Sequence, residues 1–185
     1  EDWRLNHQSI NSGTGMIRLN STDAYNTTGT TLMNVAPTSS VFNISTDWSV
    51  NGNYPFVAYC WAEKQGYSKF GTYVGNGARD GVFCYLGFQP AFIIIKATSV
   101  SGMRWTMFDN KRTIANGDMD YLVADDNHAE SDAGLGYTDP IDFVSNGFKI
   151  RNSDGFTNQS GTTYIYMAFA ENPFTTSTGV PTTAR

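Results

Sequence analysis

Short apolar runs, of strand rather than helix length, recur along the whole chain and are separated by clusters of Gly, Asn, Asp and Ser. They predict strands at 16–19, 41–44, 56–62, 71–74, 82–86, 92–96, 104–108, 121–124, 141–144, 148–151 and 163–170. No stretch of about twelve residues combines a helical period with good helix formers, so helix is expected only as single turns. Ser145-Asn146-Gly147 lies between Phe143 and Phe148. Asn-Gly tolerates the positive φ of a tight turn, so 141–151 reads as a β-hairpin. Segments 56–62 and 163–170 are apolar on both faces, as in a strand at the centre of a covered sheet. Phe56, Val57, Trp61, Phe92, Ile94, Phe148, Ile150, Ile165, Met167 and Phe169 are the expected core. The fold class is therefore all-β, a β-sandwich or jelly-roll-like architecture.

The pattern also repeats. Residues 3–63 realign on 105–171, with Trp3 on Trp105, Leu19 on Leu122, Ala24 on Ala129, Phe42 on Phe148 and Ile44 on Ile150. Asn51 then falls on Asn158, and PFVAYCWAE (55–63) on TYIYMAFAE (163–171). A period of about a hundred residues is too long for a solenoid coil and fits tandem copies of a small module. The front third of the second copy, 71–96, has no counterpart before Trp3. The expected organisation is 1–63 as the last two-thirds of a preceding repeat, 64–174 as a complete repeat, and 175–185 as a polar tail. The incomplete copy would leave bare sheet edges. These would be covered by residues 64–96, by upstream chain, or by a neighbouring subunit.

Composition narrows the function. Charged residues are only 16%, aromatics reach 14%, and the net charge is −5, with a pI near 4.8. Such a surface does not suit nucleic acid, which needs Lys and Arg against phosphate. The longest apolar run, 91–95, is far short of a membrane span. Of the two cysteines, Cys60 and Cys84 both sit in apolar runs and read as small buried hydrophobes; a disulfide between them is left to geometry.

The candidate chemistry is sparse. Asp118, Asp120, Asp125, Asp126, Glu130 and Asp132 form an acidic stretch whose spacing does not match a calcium loop, so a solvated loop is expected. His7 and His128 have no partner at zinc-ligand spacing. There is no Gly-x-Ser-x-Gly elbow, and nothing singles out a carboxylate pair for glycoside hydrolysis. Gly71, Gly75 and Gly77 read as a strand-ending turn rather than a phosphate loop. The sequons at Asn20, Asn26, Asn43 and Asn158 are formal matches only. Trp3 and Trp105 read as core or interlayer anchors. Trp48, Tyr54 and Tyr137 fall in turn-like segments, where an aromatic ring can stack on a sugar or plug a neighbouring repeat.

The blocks YCWAEKQGYSKFGTYVGNG, GFQPAFIIIK, the Trp-x-x-x-Asp of RWTMFD, DFVSNGFKI, YIYMAFAENPF and TTAR carry a resemblance. In this order they resemble a repeated β-rich domain of tail-fibre-like and other virion proteins of marine bacteriophages. The resemblance covers 3–185. It implies a virion location, a structural or host-recognition role and no catalytic motif. The resulting expectation is a non-enzymatic, adhesive module of a viral appendage without cofactor or metal. Loops 45–55 and 125–140, carrying Trp48, Tyr54 and Tyr137, would be its contact surfaces. Partners would be further copies of the chain (a trimer, as such fibres usually are), other virion proteins and a host-surface glycan, with no nucleic acid and no membrane span. The alternative is a carbohydrate-binding, lectin-like module of a secreted protein or adhesin. A polysaccharide depolymerase would require a carboxylate pair in a groove.

Overall fold

The structure, a computed structural model, describes residues 2–25, 32–112, 116, 119–130 and 140–172. Along the chain lie β1 (Arg4–Leu5), β2 (Ile17–Arg18), β3 (Met33–Val35), β4 (Asn43–Ile44), α1 (Trp48–Asn51), β5 (Ser68–Val74) and β6 (Phe83–Tyr85). They are followed by β7 (Pro90–Ala97), β8 (Thr106–Asp109), β9 (Tyr121–Val123), β10 (Ile141–Val144), β11 (Gly147–Ile150) and β12 (Thr163–Ala170). Every pairing of these strands is antiparallel. Among the described residues helix is limited to the single turn of α1 and a 3-10 turn at Asn11–Gly13. The protein is nearly all β, as the apolar pattern predicts.

The centre is a five-stranded sheet in the order β5-β12-β7-β8-β9. Alternation along β7 and β12 gives this sheet two apolar faces. Ile93, Ile95 and Ala97, with Tyr164, Tyr166 and Ala168, meet a three-stranded sheet, β10-β11-β6, across a core that includes Ile141, Phe143, Phe148 and Ile150. Aromatic rings lock this layer: Tyr73 stacks on Tyr164 with centroids 5.0 Å apart, and Phe148 meets Tyr166 edge-on at 5.2 Å. Their polar ends are satisfied. Tyr73 Oη donates to the Thr157 carbonyl and Tyr164 Oη to the Gly155 carbonyl, both at 2.6 Å. The opposite face carries Ile94, Ile165 and Trp105 and is covered by Ile10 and Ile17 from the β1–β2 region. The sequence therefore reads 163–170 correctly as a central strand, with β5 on one edge and β7 on the other.

The β10–β11 hairpin is also where the sequence places it, but for a different reason. Val144 pairs with Gly147, so the turn is Ser145-Asn146, and neither Asn146 nor Gly147 has a positive φ. Gly147 is required by close approach. A Cβ there would sit 2.1 Å from the Cys84 carbonyl oxygen of β6. The Gly71-Gly75-Gly77 series is likewise a matter of contact and turn geometry. Gly71 lies against the Tyr166 ring, Gly75 against the Gln159 carbonyl, and Gly77 takes φ 68°.

Three core expectations fail together. Residues 56–62 form no strand, and Phe56, Val57 and Trp61 are exposed, Val57 by 73%. The reason is topological. β5 and β7 both bond to β12, so residues 64–96 leave nothing to flank 56–62. That removes the first of the three ways the bare edges could be covered. Cys60, on this segment, is exposed and free, whereas Cys84 is buried and free. Burial pushes the Cys84 thiol up to about 12. Ile94, Phe148, Ile150 and Ile165 are buried as expected, while Phe92, Met167 and Phe169 are half-buried. The tail 175–185 lies outside the described residues.

Candidate interaction surface

Two stretches of the chain share one local geometry. The Trp3 N–H donates to Asn20 Oδ1 at 3.0 Å, and the Trp3 carbonyl accepts from Leu19 N–H at 2.9 Å. The Trp105 N–H donates to Asp125 Oδ1 at 2.7 Å, and its carbonyl accepts from Ala124 N–H at 3.0 Å. Between these bonds run β1–β2, pairing Leu5 with Ile17, and β8–β9, pairing Met107 with Leu122. Leu19 thus takes the place of Ala124, not of Leu122 as the sequence alignment has it. The slip is two residues, which keeps the same side of the strand and so leaves no trace in the alternation. The β3–β4 pair sets Met33 opposite Ile44 as β10–β11 sets Ile141 opposite Ile150.

The environments are opposite. Trp105 is 2% exposed and its indole N–H donates to the Arg18 carbonyl at 2.8 Å; Trp3 is 56% exposed. Phe148 and Ile150 are fully buried, while Phe42 and Ile44 are exposed, together with Val35 and Val41. Trp3, Tyr59 and Trp61 run on as an aromatic row with successive centroids 6.2 Å apart. Residues 56–62 make no main-chain hydrogen bond to another main-chain group among the described residues. These exposed rings and the apolar run 56–62 are the candidate interaction surface. Sequence reasoning had assigned Phe56, Val57 and Trp61 to the core.

Trp48 and Tyr54 are both exposed on the α1 turn and just after it. Asp47 caps that turn, and the Ser49 hydroxyl and N–H hold its carboxyl below the usual carboxylate range. Tyr137 lies outside the described residues. Within the acidic stretch Asp125, Asp126 and Glu130 pair with arginines, and Asp118 and Asp132 lie outside the described residues. Arg104 pairs with Asp125 and Asp126, and Arg112 with Asp109 and Glu130. Asp126 also lies 2.9 Å from His128 Nδ1. Among the described residues no three His, Cys, Asp or Glu gather as a metal set. Asn158, one of the formal sequons, is fully buried with its amide hydrogen-bonded inside the protein. A cavity of about 290 Å³ at the β2 end is lined by Met16, Arg18, Asp23, Tyr25 and Ser101, and its charges are an Arg18–Asp23 ion pair.

The family model described as "Domain of unknown function (DUF7483)" matches residues 1–173. The chain belongs to that family. Its match takes both stretches just compared, and the bare surface with them, into one span. No curated protein and no solved structure matches the chain. Among the described residues no helix is long and apolar enough to cross a membrane.

Proposed function

We propose that this DUF7483 chain is a non-catalytic structural and adhesive module of a virion appendage of the tail-fibre kind. In this reading residues 3–63 and 105–171 belong to two copies of one jelly-roll-like β unit. The observation that carries the reading is the exposed aromatic row of Trp3, Tyr59 and Trp61, with Phe42, Ile44 and Val57 also bare. It is extended and aromatic, and it suits association with another polypeptide far better than turnover of a small molecule. The matched hydrogen bonds at Trp3 and Trp105 support duplication. The sequence blocks from 59 to 185 that resemble phage virion proteins support the location. Homo-oligomerisation and contact with other virion proteins follow from the same surface. Trp48 and Tyr54 remain the contacts proposed for a host glycan, because rings held on turns offer flat faces for a sugar.

Mass spectrometry of purified particles from the phage that encodes the chain tests the location, and adsorption to host cells tests adhesion. The polypeptide is expected in the particle, and changing Trp48 and Tyr54 to Ala is expected to slow adsorption. Its absence from particles removes the structural claim. Normal adsorption by the double variant removes the glycan contacts. Release of sugar from host polysaccharide by the isolated chain replaces the reading with an enzyme.

A further inference from the structure

We infer that the outer face of the β10-β11-β6 sheet is a binding site for an acidic polysaccharide, one bearing carboxylate or sulfate groups. The site needs none of the residues of the surface described above, and it goes beyond the proposed function: it holds with or without the virion assignment. The pairing registers set two cross-strand rows on this face, Val144–Gly147–Tyr85 and Asp142–Lys149–Phe83. The alternate residues, Ile141, Phe143, Phe148, Ile150 and Cys84, belong to the core on the other side. Tyr85 is 60% exposed and Phe83 45%. Two residues apart on one strand, their Cα atoms are about 6–7 Å from each other. Phe83 is seated against Gly147, where an added Cβ would come within 3.2 Å of its ring. Among the described residues the Tyr85 hydroxyl makes no hydrogen bond, so it is open to a ligand.

Charge surrounds these rings. Lys69 of β5 holds its Nζ 5.7 Å from the centroid of the Tyr85 ring. Among the described residues it has no carboxylate within ion-pair reach, and neither has Arg79, the exposed neighbour of Asp80. Lys149 is paired with Asp80 at 2.8 Å and Arg151 with Asp142 at 3.1 Å. The unpaired charge here is therefore positive, on a chain whose net charge is −5. A polyanion complements it. Sugar rings supply the rest, because their C–H faces stack on Tyr85 and Phe83 while their hydroxyls donate to the carboxylates of Asp80 and Asp142. Two other polymers fit less well. A nucleic acid carries a phosphate at every nucleotide and would bring several against those two carboxylates. A protein interface keeps charge out of its centre, whereas here Tyr85 has Lys69 beside it and Phe83 has Lys149.

Binding of the whole chain to four polymers tests this. Polygalacturonate and dextran sulfate are the carboxylate and sulfate probes, dextran is the neutral control, and oligothymidylate stands for nucleic acid. Polygalacturonate or dextran sulfate is expected to bind, and dextran and oligothymidylate are not; which acidic polymer binds identifies the anion. Tyr85→Ala and Lys69→Met each weaken that binding by about 5-fold or more. Both act at the surface and leave the denaturation midpoint unchanged. Lys69→Arg keeps the charge over the ring and binds as the parent does, which carries the test should Tyr85→Ala alter the fold. The parent's affinity falls as salt rises, and Lys69→Met has the shallower dependence. Failure of both acidic polymers to bind, equal binding of dextran or oligothymidylate, or undiminished binding by Tyr85→Ala and Lys69→Met overturns the inference. So does a chain that doubles its mass in solution and loses the second copy on Tyr85→Ala, since that copy would then cover the face. Changing Trp48 and Tyr54 to Ala leaves the binding intact. Loss in that variant with Tyr85→Ala unaffected moves the glycan to the α1 turn and overturns the site, so the two proposals fail separately.

Discussion

Trp3 and Trp105 hold the same main-chain hydrogen bonds, each to a side-chain oxygen one residue beyond the partner strand's closing bond, yet one indole lies in solvent and the other in the core. Local sequence sets the bond pattern. What lies over the ring is set by distant chain. Trp105→Ala is expected to cost about 3–5 kcal/mol in urea denaturation, from lost burial and a residual cavity. Trp3→Ala is expected to cost at most about 1 kcal/mol. Equal losses would mean that Trp3 is covered in solution.

Asn158 is the polar hub of the loop before β12. Its two amide N–H groups are shared among three acceptors, Asn76 Oδ1 at 2.9 Å, the Ala78 carbonyl at 2.8 Å and the Asn152 carbonyl at 2.7 Å, and its Oδ1 accepts from Asn76 N–H. Asn158→Ala leaves the buried Asn152 carbonyl without this donor, while Asn76 and Ala78 are exposed to water. The expected loss is about 1–3 kcal/mol, as for one buried group left unpaired. A thermal midpoint within a degree or two of the parent would remove this role.

Gly147→Ala tests the close approach of β11 to β6. The added methyl meets the Cys84 carbonyl at 2.1 Å, a contact with main chain that no rotamer relieves. A destabilisation of about 1–3 kcal/mol is expected, as for overpacking elsewhere, together with faster thiol labelling of Cys84. An unaffected protein would mean that β6 and β11 are further apart than described.

Lys96 is fully buried on the β1–β2 side of the central sheet, where its Nζ donates to the carbonyls of Thr22, at 3.1 Å, and Met103. Burial pulls its pKa from 10.5 down to about 8, against the attraction of Asp125 and Asp23. Between these values the unfolded chain binds more protons than the folded one. Stability therefore gains a contribution as pH rises from about 8 to 10.5, and loses it as pH falls through 8. The slope approaches at most about 1.4 kcal/mol per pH unit. Measured as parent minus Lys96→Met across this range, the difference should climb with pH. A flat difference would mean that Lys96 titrates as an exposed lysine. Subtracting the variant also cancels the opposite trend from Cys84, Tyr164 and Tyr166, all pushed up to about 12.

The alternation of apolar and polar residues was enough to establish β structure, the strands at 92–96 and 163–170, the hairpin at 141–151 and the core roles of Ile94, Phe148 and Ile165, because strand period and strand length are local properties. It also contained the likeness of 3–63 to 105–171. It could not separate PFVAYCWAE from TYIYMAFAE, since both carry the pattern of a strand buried on two faces. Only the tertiary structure decided that β5 and β7 bond to Thr163–Ala170 and leave 56–62 bare. The same holds for Cys60 in solvent, for Gly147 beneath the Cys84 carbonyl, and for Lys96 buried among carbonyls. A short segment encodes which faces want cover. Which part of the chain provides it depends on pairing between residues far apart in sequence, as when β5 and β7 pair with β12.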